Sequence, residues 1–365
     1  MTALDLLIDA TLRDPFGAAR THARTGRRVI GYVGADVPVE LIIAAGAFPL
    51  RVPGLPQTDV AAVDEYLESS FTADVRSIAA QYLRGDLDFL DAVILPRSND
   101  SAQRLYYYLC EMRSRGLTAG PTPLIFDLAK IPRESSRVHT RWATSRLAEE
   151  LGVELEALPG AVERRNRRRN LLTRCSDMRI PEPGLCGSAV DRIFRTADLC
   201  EAESFDTALT LWLTAAPASA GGPRVVLAGS SPPDDRLHRS VESAGGNIVA
   251  EFGDHAASAA VLQLLPGAGF LEAIADHYQS SDAGPRAFID SSSAIEGLVK
   301  SVKANGVIVW LTEQEDALNW RLPGEMSVLR RSGIPTLLLT RRRWDGTDGA
   351  AGEIIEFINT LKGAP

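Results

Sequence analysis

Paired sulfur is missing from this sequence of 365 residues. Its four cysteines, Cys110, Cys175, Cys186 and Cys200, fall into no CxxC pair or other metal-ligand spacing. No zinc knot or disulfide framework is readable, and ordinary buried or surface thiols are expected. The five histidines, His22, His139, His238, His255 and His277, lie in no HxH, HExxH or serine-elbow context, so each is expected at the surface or at a helix cap. Surplus positive charge is also absent. Lys and Arg total 39 against 47 Asp and Glu, a net charge of -8, so the overall field repels phosphate backbones and argues against nucleic acid as a general partner. A local basic patch remains free to hold an anion. Long apolar runs are lacking too: "LIIAAGAFPLRV" is broken by Pro49 and Arg51, short of the roughly 18 to 20 residues that span a bilayer. The opening "MTALDLLIDATLRDP" carries Asp5, Asp9 and Asp14 through its apolar positions, unlike a secretory signal, and a cytoplasmic location is expected.

What is present suits two globular domains, with 45% hydrophobic and 24% charged residues. An amphipathic helical segment runs from Leu4 to near Gly26, and Val29 to Val33 reads as a buried strand. "DVPVELIIAAG" reads as a helix with Asp36 as cap, Pro38 in the first turn and Gly46 in the left-handed C-terminal position. A helix from about Thr72 to Leu83, a strand "LDAVILP", a helix from Ser101 to Arg115, a strand "PLIFDL" and a helix "RVHTRWATSRLAEELG" follow. Residues 156–176 are helical and strongly basic on one face, for which a solvated surface is the plainer account than an anion site.

The Ala, Gly, Pro and Ser-rich stretch 214–231 marks a domain boundary, dividing the chain into 1–218, an N-terminal α/β domain with a helical extension, and 219–365, a C-terminal α/β domain. A second series then alternates strands "RVVLAGS", "NIVAEF", "VIVWLT" and "PTLLLT" with helices. The expected fold is α/β: two Rossmann-like, doubly wound parallel-sheet domains, with any ligand at the carboxyl ends of the strands where the domains face each other.

Four blocks, "GYVGADVPVELIIAAGAFPLRVPG", "GDLDFLDAVILPRSNDSAQRLYYYL", "RVVLAGSSPPDDRLHRSVESAGG" and "GVIVWLTEQEDALNWRLPGEMSVLRRSGIPTLLL", occur in an order and spacing that resembles the D-component family of 2-hydroxyacyl-CoA dehydratases, which includes benzoyl-CoA reductase subunits. The resemblance covers nearly the whole chain. It implies two Rossmann-like domains, pairing with a similar subunit, and a [4Fe-4S] cluster on three cysteines between the domains. It further implies an ATP-driven activator that delivers one electron, reduction of a CoA thioester to a ketyl radical, and loss of hydroxide in a lyase reaction.

The chain departs from that pattern at the ligands. Asn99, beside Asp100 in "PRSNDS", stands where the family has cysteine; Thr72, counted back from Gly85, stands at a second such position; and Glu315, followed by Asp316 and midway between Gly306 and Pro323, stands at the third. Iron in such clusters takes soft anionic thiolates, whereas an amide and an alcohol are neutral and hard. Cys110, about three turns past Asn99 on the same helix, is too far to substitute. The resemblance also places Ala35 where many members have a serine thought to help hold the thioester. Gly34 and Ala35 offer only backbone N–H groups at a helix start, suited to a carbonyl oxygen or phosphate.

Three readings follow. In the favoured one the chain is a cluster-less subunit of a heterodimer; it carries no cofactor or metal itself, shapes an acyl-CoA pocket, and leaves the [4Fe-4S] chemistry to a homologous partner served by the activator. In the second it is a non-redox acyl-CoA enzyme with Glu315, Asp316 and Asp100 as acid or base groups. Against that stand Asp100 as an N-cap and Glu315 with Asp316 as a solvated helix start. In the third it binds acyl-CoA without turnover. Arg51, Arg97 and Arg104 would then meet CoA phosphates, and the Gly229, Ser230, Ser231 turn would cradle phosphate, although exposed arginines are ordinarily solvated. Tyr106 to Tyr108 spread around a helix, so most of these rings are expected in packing.

Overall fold

The computed structural model describes residues 1–215, 220–253, 269–281 and 288–363. The N-terminal segment forms two helices rather than one, α1 (Ala3–Arg13) and α2 (Gly17–Arg24). Pro15 lies between them and donates no helix hydrogen bond. Thr2 and Asp5 close a capping box at the start of α1. The chain continues through β1 (Val29–Tyr32), α3 (Val39–Ala44), β2 (Phe48–Arg51), α4 (Ala73–Leu83), β3 (Ala92–Pro96), α5 (Asp100–Ser114) and β4 (Thr122–Phe126). Four helices follow: α6 (Glu134–Leu151), α7 (Leu158–Asp177), α8 (Gly187–Ala197) and α9 (Ala202–Ala215).

The second series runs β5 (Arg224–Gly229), α10 (Arg236–Ser243), β6 (Asn247–Gly253), α11 (Phe270–Ser280), α12 (Ser291–Ser301), β7 (Gly306–Thr312), α13 (Asp316–Asn319), α14 (Leu322–Arg331), β8 (Thr336–Arg342) and α15 (Ala350–Lys362). Helices α8, α9 and α11 are additions to what the sequence reading contains.

Two compact units result. The first takes Met1–Asn170, Thr196–Ala208 and the described residues of 261–288; the second takes Leu171–Arg195 and the described residues of 209–260 and 289–365. Each holds one four-stranded parallel sheet, ordered β2-β1-β3-β4 in the first and β6-β5-β7-β8 in the second. The expected pair of Rossmann-like sheets is therefore present.

Burial explains why these strands read as continuous apolar runs. In the first sheet Val29, Val93 and Leu95 pack on one face with Val75 and Ile78 of α4 and Leu105 and Leu109 of α5. Ile30, Tyr32 and Ile94 pack on the other with Leu41 and Ile42 of α3, Leu147 of α6 and Ile274 of α11. The second sheet repeats the arrangement: Val225, Leu227, Ile308 and Trp310 meet α10 and α15, and Val226, Val307, Val309 and Leu311 meet α12 and α14. A strand covered on both faces must be apolar at every position, and each such aliphatic side chain contributes about 1.5 to 3 kcal/mol of burial.

Within each sheet the strand order reverses beside the first strand, between β1 and β3 and between β5 and β7. Connections leave to opposite faces there and open a crevice at the carboxyl ends.

Candidate functional site

In the first unit, the reversal point is built from the loops after β1 and β3. The Val33 amide donates to the Ile94 carbonyl at 3.0 Å, and Gly34 turns away with φ of 75°, in the left-handed region, with Pro96 alongside. Gly34 and Ala35 are half-buried. Asp36 is not the cap of α3. It is buried in an ion pair with Lys130 at 2.8 Å, and α3 begins after Pro38 with no side-chain cap.

Thr72 reaches the first turn of α5, the helix that Asn99 caps. Asn99 is the N-cap of α5, its side-chain oxygen accepting from the Ala102 amide at 2.9 Å, so the cap is Asn99 rather than Asp100. Thr72 precedes α4 in extended conformation, and its amide donates to the Ser101 hydroxyl at 3.1 Å. Its own hydroxyl oxygen is buried and accepts no hydrogen bond among the described residues. Asp100 is exposed and paired with Arg104 at 3.1 Å. Arg104 lies over the Phe71 ring at 4.2 Å and donates to the Ser70 hydroxyl at 2.8 Å, so its charge faces these partners. Arg97 is exposed and bonds Asp127 at 2.6 Å.

Behind this point lies a buried polar network that the sequence reading misses. The basic face of α7 is not simply solvated. Arg169 pairs with Glu40 at 2.7 Å, Arg168 with Asp206 at 2.6 Å and Arg165 with Asp198 at 2.7 Å. Tyr278 donates to Glu40 at 2.9 Å. Against the cost of burial, Arg165 and, with it, Arg51 and Arg168 hold the Asp198 carboxyl down at about 2. Arg51 also donates its amide to the Asp198 carbonyl at 3.0 Å. Burial, opposed by Arg169 and Arg165 and reinforced by Glu40, pushes the Tyr278 phenol far above its usual range. Burial and the Arg169 charge push His277 down to about 4, which corrects its expected place at the surface. The sequence signal was the arginine run itself, together with Glu40 in an otherwise apolar helix.

In the second unit, the reversal point joins the ends of β5 and β7. Gly229 has φ of 107°, and a Cβ there would fall on the Trp310 carbonyl oxygen, so glycine is required by the strand exit. The Ser230 amide donates to the Trp310 carbonyl at 2.8 Å, and its hydroxyl accepts from the Thr312 amide at 3.1 Å. That amide is thus spent within the sheet, and α10 begins only at Arg236. Glu315 is buried as the N-cap of α13, its carboxylate accepting from the Leu318 amide at 3.3 Å, while Asp316 is exposed in the first turn.

His238 is buried, not superficial. Its Nε2 lies 3.0 Å from Glu251 Oε1, which also pairs with Arg179 at 2.6 Å. Glu251 is held low despite burial by the Arg179 charge and by His238. His22 stacks on Phe48 at 4.4 Å, His139 is half-buried, and His255 lies outside the described residues. Among the three tyrosines, Tyr107 is exposed while Tyr106 and Tyr108 pack against the core.

The three positions that the resemblance assigns to cluster thiolates thus hold an alcohol, an amide and a carboxylate, two of which accept bonds from helix-start amides. This donor set does not fit an iron–sulfur cluster. Cys110 is half-buried within α5, Cys186 is half-buried before α8, and Cys175 and Cys200 are buried. Burial pushes the thiols of Cys175 and Cys200 up to about 12. Among the described residues, no group of three or more His, Cys, Asp or Glu side chains is arranged to hold a metal ion, and no helix is long and apolar enough to cross a membrane.

No curated protein matches the chain. A family model does, that of the 2-hydroxyglutaryl-CoA dehydratase D-component, over residues 35–357. That span runs from the Ala35 turn after β1 into the closing helix α15 and takes in every strand but β1, the reversal point of the second sheet and the Thr72, Asn99 and Glu315 helix starts; the chain belongs to the 2-hydroxyglutaryl-CoA dehydratase D-component family.

Proposed function

We propose that this chain is a cluster-less subunit of a heteromeric complex of the 2-hydroxyacyl-CoA dehydratase or benzoyl-CoA reductase type. A homologous partner holds the [4Fe-4S] cluster and performs the redox step, an ATP-dependent activator supplies the electron, and this chain shapes the acyl-CoA pocket. The observation that carries the proposal is that the three positions which the resemblance assigns to ligands hold no thiol and stand at helix starts: Thr72 before α4, Asn99 before α5 and Glu315 before α13. An amide or carboxylate oxygen that accepts a backbone N–H stabilises a helix end by about 1 kcal/mol, so Asn99 and Glu315 have a structural use in place of metal binding, while the Thr72 hydroxyl makes no such cap. The buried, protonated thiols of Cys175 and Cys200 support the same reading, because iron needs the thiolate.

Gly34, Ala35, Arg51 and Arg97 remain the substrate-facing candidates of the first unit. A non-redox mechanism through Asp100 and Glu315 has less support, since Asp100 is paired with Arg104 and Glu315 caps α13. The test is co-expression with a homologous subunit that retains its cysteines, followed by anaerobic purification. The pair should co-elute with iron in the partner, and an acyl-CoA panel should be dehydrated only when partner and activator are both present. Turnover by the lone chain would overturn the proposal.

A further inference from the structure

Beyond β3 and β4 the first unit contains a cavity of about 540 Å³, within the range of small-ligand sites, and Arg97, Lys130, Arg133 and His139 line it. Four basic side chains around one cavity are notable in a chain of net charge -8. The charges nearby do not cancel. Asp36 balances Lys130 at 2.8 Å, and Asp127 serves both Arg97 at 2.6 Å and His139 at 3.1 Å. Arg133 is left over: its Nε donates to the Ser136 hydroxyl at 3.3 Å, and no carboxylate lies within ion-pairing distance of it among the described residues.

The position of Arg133 is unfavourable for folding alone. It is the N-cap of α6, an 18-residue helix, and no side chain caps that end. N-caps favour Ser, Thr, Asp or Asn, which accept the first amides, and the N-terminus carries roughly half a positive charge that disfavours a cation. Here a cation occupies the cap, with Lys130 and Arg97 close behind. Local rules broken in this way point to function rather than stability. An anion in the cavity would meet the α6 amides, the Ser136 hydroxyl and the spare charge of Arg133 together. Ile131 and Phe288, both on the lining, add an apolar wall suited to an organic body attached to that anion.

We propose that this cavity is a phosphate-ester site, taking the phosphomonoester or diphosphate of an organic ligand, with Arg133 and the start of α6 as its anion-binding elements. A phosphomonoester carries about 1.5 to 2 negative charges near neutral pH, enough to offset both the unpaired guanidinium and the helix end. Free nucleotide and the nucleotide end of CoA share this chemistry. The assignment stands apart from the acyl-CoA reading and can fail separately from it.

Titration calorimetry of the full chain at low salt tests it, using CoA, dephospho-CoA, ADP, inorganic phosphate and pantetheine. CoA or ADP, or both, should bind and pantetheine should not. Binding of CoA but not of ADP or dephospho-CoA would identify the 3′-phosphate of CoA as the source, whereas equal binding of ADP would identify a nucleotide diphosphate; either supports the site. The exposed Arg133→Glu should weaken binding at least tenfold, while Arg167→Glu on the outer face of α7 should leave it unchanged. Pantetheine binding as well as CoA, inorganic phosphate as the sole ligand bound, or unaltered affinity in Arg133→Glu would overturn the assignment. If CoA binding survives Arg133→Glu intact, acyl-CoA recognition stands but lies elsewhere.

Discussion

The Thr72 amide donates to the Ser101 hydroxyl at 3.1 Å, which ties the residue before α4 to the first turn of α5. Asn99, which caps that turn, lies two residues before this acceptor, so the hydrogen bond links Thr72 to the helix start that Asn99 caps.

If Asn99 serves as a cap, Asn99→Ala should lower stability by about 1 kcal/mol, while Asn99→Asp and Asn99→Ser should retain most of it. Ser101→Ala should cost a similar amount, because the Thr72 amide loses its acceptor in a partly buried place. Urea denaturation of the three Asn99 variants checks the order. Equal losses in all three would show that capping is not the role of this side chain.

The Glu40, Arg169 and Tyr278 cluster gives a larger effect. Glu40→Gln removes the charge that faces the buried Arg169 guanidinium and should cost about 3 to 5 kcal/mol, whereas Tyr278→Phe should cost less. The double variant Glu40→Gln, Arg169→Gln should regain part of the loss, since no buried charge is then left alone. Strict additivity of the two single losses in denaturant midpoints would contradict the pairing.

Two histidines should set opposite limbs of the stability profile. His277 is held at about 4 by burial and by Arg169, so between its ordinary 6.5 and about 4 the unfolded chain takes a proton that the folded chain refuses. Stability is present above 6.5 and falls as pH drops through this window. His238 behaves in reverse. Burial opposes its proton, but Asp191 and Glu251 outweigh burial and raise it, so its contribution is complete below 6.5 and is lost as pH rises through the folded value. Thermal midpoints measured across this range should show a flatter acid limb for His277→Asn and a flatter upper limb for His238→Asn. An unaltered acid limb in His277→Asn would show that this side chain is not held neutral.

Local features were readable from the sequence where local physics decides. The runs at Val29, Ala92, Val225 and Val307 mark strands because both faces of each sheet are covered, and Gly46 takes the left-handed turn expected of it, with φ of 71°. Partners far along the chain were not readable. Asp36 has the spacing of a cap, and only the fold brings Lys130 to it; Glu40 meets Tyr278 and Arg169 in the same way. The arginines of α7 read as a solvated stripe because Asp198 and Asp206, which neutralise them, lie beyond α8. The cavity at Arg133 was missed for a related reason: Arg97 closes it from another loop, and a cation at a cap carries no sequence motif.

The proposed role requires that this polypeptide lack the donors for a low-potential iron–sulfur cluster. Iron and acid-labile sulfide should therefore be measured on the chain alone after anaerobic purification and reconstitution. Background levels of both, with no brown absorption, are expected. About four iron and four sulfide per chain, with that absorption present, would contradict the account.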